Sequence, residues 1–108
     1  MMPSNSDSAE EKIIVLVDRD LEGLIPRFMD NRRNDIVTLG MAVALDDYET
    51  VGSLAHGLKR CSAGYGFHEI TEIGVGLEQA AKANDRQEIQ KWIDRLAEYL
   101  IWVEIVYE

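Results

Sequence analysis

Cysteine is nearly absent from this chain: Cys61 is the only one in 108 residues. An internal disulfide is therefore excluded, in agreement with a reducing compartment. Positive charge is also in short supply, since 11 Lys and Arg against 20 Asp and Glu leave a net charge of −9. A nucleic-acid backbone or an anionic membrane would be repelled over most of such a surface, so proteins and small molecules remain as partners. Long apolar runs are missing. The longest, "IIVLV", is too short to span a bilayer, and the N-terminus "MMPSNSDSAEE" has neither the basic start nor the apolar middle of a signal peptide. A cytoplasmic location is expected.

What is present suffices for one domain, because 46% apolar residues can fill a single core of ordinary size. Residues 1–11 are small, polar and acidic and are expected to form a flexible tail; residues 12–108 carry the fold. "KIIVLV" is β-branched and reads as a short strand, while "DRDLEGLI" opens with acidic residues as a short N-terminal helix does. Pro26 lacks an amide hydrogen and pushes Ile25 out of helical geometry, so a new helix begins there and runs to about Leu45 on Phe28, Met29, Ile36, Leu39 and Val43. The next start signal is "DDYE", where Asp46 can cap free amides and Glu49 can reach back. That helix passes through His56 and stops near "GYG", where Gly64 or Gly66 can take a left-handed conformation. Segment 67–83 follows as a helix buried through Ile70, Ile73, Leu77 and Ala80. Asn84 and Gln87 have capping-box spacing for a last helix carrying Ile89, Trp92, Ile93, Leu96 and Leu100. The β-rich ending "VEIVYE" can pair with "IIVLV". The expected fold is mainly α, an antiparallel four-helix bundle, and a monomer because every apolar stripe can be used inside it.

The stretch "AHGLKRCSAGYGF" is the one place where a nucleophile, basic groups and small residues coincide. At about 100° per residue, Val51, Leu54, Ala55, Leu58, Ser62 and Tyr65 gather on one helical face, and His56 points roughly 140° away from Val51. His56 should therefore face outward, with Gly52 one turn before it, Lys59 and Arg60 one turn after, and Ala63 two turns after. A neutral imidazole on a rigid helix can act as a nucleophile near its ordinary pKa of about 6.5. Blander readings compete: an ordinary surface histidine, a solvated Lys59, and Cys61 as core filler. His56, Cys61 and His68 could be imagined as a metal site, but their spacing fits no zinc pattern and no metal is expected. Gly64 and Gly66 read as structural, because no strand precedes them as a phosphate loop requires.

These residues resemble the histidine phosphotransfer (HPt) domain of multistep phosphorelays. The family pattern, His-x-Leu-Lys-Gly, then small residues, then a glycine ten positions after the histidine, reads here "HGLKRCSAGYG", with Gly66 in the last place. An apolar helix ending in Leu-Glu follows as "IGVGLE", carrying Leu77 and Glu78, and "DLEGLIPRF", "NRRND" and "GYGF" are similar to a subgroup of small HPt proteins. The resemblance implies that His56 accepts phosphate from a receiver-domain aspartate and returns it to another receiver, with Lys59 positioning and neutralising the group. It implies response-regulator receivers and a hybrid sensor kinase as partners, docking over Gly52, Arg60 and Ala63. It also implies no cofactor of its own, with Mg2+ held by the partner receiver. No Gly-rich ATP motif is visible, so a phosphocarrier without kinase activity is expected. Arg60 stands where the family has glycine. That keeps two other classes open: a module that docks receivers without accepting phosphate, and a plain helical interaction domain.

Overall fold

The computed structural model of the chain describes residues 12–108. The expected tail, 1–11, lies outside the described residues. Strand β1 (Ile13–Val17) leads through a 3-10 turn (Arg19–Leu21) into four helices, α1 (Ile25–Ala44), α2 (Tyr48–Tyr65), α3 (His68–Lys82) and α4 (Arg86–Trp102), and the chain ends in β2 (Val103–Tyr107). The protein is mainly helical, with the four helices joined by short turns into a bundle. None of the helices among the described residues is long and apolar enough to cross a membrane.

The caps of α2 and α4 differ from the sequence expectation by one residue, and for one reason. Asp46 does not cap α2, nor Asn84 α4; both adopt a left-handed backbone, with φ of 56° and 53°. Short polar side chains tolerate that conformation, and here it reverses the chain between two helices. The cap passes to the next residue: Asp47 accepts from the Thr50 amide, and Asp85 from the Glu88 amide. The Thr50 hydroxyl, donating at 2.6 Å, and then its amide hold the Asp47 carboxyl below the usual carboxylate range. Arg86 pairs with Asp46 across the two turns. At the other end, Gly66 is the left-handed residue (φ 87°) that closes α2, whereas Gly64 stays within the helix with open space around it. Gly64 therefore has no turn-forming role.

Pro26 lies in the first turn of α1, as its missing amide demands, but Ile25 is already helical. The short N-terminal helix shrinks to the 3-10 turn. With a new helix starting at Ile25, too few residues remain for a nucleated α-helix, and the Asp18 carboxylate satisfies the Asp20 amide instead. The strands that flank the helices lie parallel, with Ile13 opposite Val103, Val15 opposite Ile105 and Val17 opposite Tyr107. Those six residues pack against the core, while Ile14, Leu16 and Val106 stay exposed on the other side.

Every helix contributes fully buried side chains: Leu39 from α1, Val51 and Leu58 from α2, Ile70, Ile73 and Leu77 from α3, Ile89 and Leu96 from α4. Each such residue stabilises the fold by about 1.5 to 3 kcal/mol. Phe67, at the α2–α3 turn, stacks on Phe28 at 5.0 Å, and Tyr65 meets Phe28 edge-on at 4.8 Å. Two glycines in α3 permit closer packing than side chains allow. A Cβ on Gly76 would fall 2.1 Å from the Trp92 ring, and one on Gly74 would fall 2.9 Å from the Ala55 carbonyl oxygen and the Lys59 amide nitrogen. At Gly74 the backbones of α2 and α3 therefore touch.

Candidate functional site

Helix α2 turns Val51, Ala55 and Leu58 to the core, which sends the intervening His56 outward. Its side chain is 52% exposed. One turn after Gly74, helix α3 presents Glu78, and the close backbone approach at Ala55 and Lys59 carries that carboxylate to the His56 edge of α2. Glu78 Oε2 lies 3.4 Å from His56 Nδ1, and its Oε1 accepts a 2.9 Å hydrogen bond from Lys59 Nζ. The carboxylate thus bridges the two residues that sequence reasoning had singled out.

Lys59 holds the Glu78 carboxyl below the ordinary carboxylate range, first by its hydrogen bond and further by its charge, against partial desolvation; the charges of Lys82 and His56 add smaller pulls in the same direction. An ionised carboxylate opposite Nδ1 favours the imidazole tautomer with its proton on that nitrogen. The Nε2 lone pair is then free for attack. Beside the ring an open groove of about 690 Å³ runs between α2 and α3, lined by Tyr48, Gly52, Ser53, Ala81 and Lys82 along with His56 and Glu78. At Gly52 an added Cβ would make ordinary contact with Ala81, at 3.8 Å.

Arg60 and Ala63 are exposed on the same helix, and Arg60 has no ion-pair partner among the described residues. Cys61 is half-buried against the core and accepts from Arg32 at 3.1 Å, on a separate surface with Phe28 and Tyr65. His68 opens on a third surface near β1. His56, Cys61 and His68 are thus not brought together, and no group of three metal-ligating side chains occurs among the described residues. Sequence reasoning missed Glu78 as a site residue. The signal was "GVGLE": glycine inside a helix costs about 1 kcal/mol relative to alanine, so two within one turn mark a place where another group must come close.

A family model, the Hpt domain, matches residues 23–103, which includes all four helices. The chain belongs to the Hpt family. No curated protein and no solved structure matches it. Membership gives this Hpt domain a place in two-component phosphotransfer signalling, in a family of phosphocarrier modules without kinase activity that interact with receiver domains. The match begins at Gly23 and ends at Val103, so β1 and most of β2 lie outside it.

Proposed function

We propose that His56 is the phosphate acceptor of this Hpt domain, taking a phosphoryl group from a receiver aspartate and passing it to a second receiver. The observation that carries this reading is the half-exposed imidazole whose Nδ1 faces a carboxylate across an open groove. In the forward step the Nε2 lone pair attacks phosphorus, the nitrogen–phosphorus bond forms, and the bond to the aspartate oxygen breaks, returning a free carboxylate to the receiver. The ring then bears the phosphoryl group on Nε2 and a proton on Nδ1, and so carries a positive charge. Glu78 is placed to stabilise that charge. Lys59, held beside the ring through Glu78, can turn one of its three donors to the phosphoryl oxygens. In-line transfer between two docked proteins is mostly a matter of positioning, which a nucleophile on a rigid helix supplies.

The test is His56→Gln incubated with a phosphorylated receiver. Acceptance should be abolished, and stability should change by less than about half a kcal/mol because the side chain is largely outside the core. Wild-type protein should carry a phosphate that is labile in acid and survives alkali. A labelled His56→Gln protein removes His56 from the role. A second reading, a module that docks receivers without accepting phosphate, draws on exposed Arg60 at the position of the family glycine.

A further inference from the structure

We propose that Lys82 is a second phosphoryl-binding cation of this site, an inference that rests on His56 being the acceptor. The charge balance at the site favours a second cation. Lys59 lies 2.9 Å from Glu78 in the unphosphorylated protein, so the fixed charges beside His56 nearly cancel, and an incoming phosphoryl group meets a carboxylate with its counter-charge already engaged. Another positive group beside the ring strengthens the binding of a dianion there.

Lys82 suits that role by position. It stands one turn beyond Glu78 on α3, so both side chains share a face. It lines the same groove as His56, alongside the carboxylates of Glu78 and Glu49. Its side chain is exposed, and it has no ion-pair partner among the described residues. Arg60, the other exposed cation nearby in sequence, does not line this groove. A lysine in the last turn of a helix also complements the terminal carbonyls. That effect does not account for its sharing a groove with the histidine. Its charge adds a small downward pull on the Glu78 carboxyl, after those of Lys59. A flexible four-carbon stem lets the ammonium swing to the oxygens of a group on Nε2.

The experiment compares wild type, Lys82→Ala and Lys82→Arg as full chains. Each is loaded from a phosphorylated receiver, or with phosphoramidate where the receiver delivers nothing, then freed of donor and titrated by phosphorus NMR. Lys82→Ala should accept phosphate about fivefold more slowly, the loss expected for one partly exposed charge contact. Its phosphohistidine should titrate at higher pH, because losing a neighbouring cation disfavours the dianion, and Lys82→Arg should restore both properties. Slower transfer with an unmoved titration would make Lys82 a receiver-docking residue and overturn the proposal, as would no change in either. A wild-type protein that forms no acid-labile phosphate would instead remove the acceptor reading itself, so the two failures are distinct.

Discussion

Among the residues of this domain, Glu78 has the least obvious sequence signal and the most specific placement. Its two oxygens meet different helix-α2 side chains, and the stronger contact, to Lys59, depresses its carboxyl pKa below the usual 4.5. A depressed carboxyl binds fewer protons folded than unfolded, so its contribution to stability is present above the ordinary value and is lost as pH falls through the folded one. Glu78→Gln should therefore be less stable than wild type near about pH 6, and the gap should close as pH falls below the ordinary carboxylate range. Denaturant titrations of both proteins across that range check it. A gap that persists in acid would mean that shape, not charge, holds Glu78 in place.

At the scale of elements, the site depends on how closely α3 approaches α2. Alanine at Gly74 would improve helix propensity by about 1 kcal/mol but would drive a methyl into backbone atoms of Ala55 and Lys59 that cannot rotate away. We expect Gly74→Ala to lose about 1 to 3 kcal/mol net, the usual cost of overpacking, and to slow phosphate acceptance as Glu78 is pushed from His56. Gly57→Ala is the matched control. It is helical and exposed with nothing within 4 Å of the added carbon, and should gain up to about 1 kcal/mol. Thermal melts of the pair decide whether close approach or glycine's flexibility is what α3 requires. The turns between helices carry a related lesson. "LDD" and "AND" place two polar residues before the next helix, and a capping rule applied to sequence picks the first. Reversing the chain in so few residues needs a left-handed position, which the first occupies and a capping residue does not.

For the molecule as a whole, the surplus of acid works against binding the acidic pocket of a receiver. The cations near His56 form a local exception, and Arg60 is the exposed member on the outer face of α2. If the guanidinium meets acidic residues around a receiver aspartate, association is fast at low salt and slows as the attraction is screened. Arg60→Gly should then show a lower on-rate, a flatter salt dependence and broader receiver usage in transfer assays run over a salt series. A large gain in transfer to every receiver would identify Arg60 as an obstruction and favour the docking module.

The four bundle helices and their order, and the outward direction of His56, were legible in the sequence because they depend on local periodicity. Apolar residues at helical spacing define one buried face, and a residue between Ala55 and Leu58 at the wrong angle must leave it. The resemblance of "HGLKRCSAGYG" to the Hpt pattern came from the same contiguous stretch, and the family match agrees with it. The meeting of Glu78 with His56 and Lys59 was decided only by the tertiary structure, and so was the groove that Lys82 shares with His56 and Glu78. Those contacts join residues on two helices, and their distance is set by Gly74, whose effect is to omit a side chain. Periodicity reports which face of a helix is buried. It does not report how near the neighbouring helix comes, because that distance depends on the volumes packed between them.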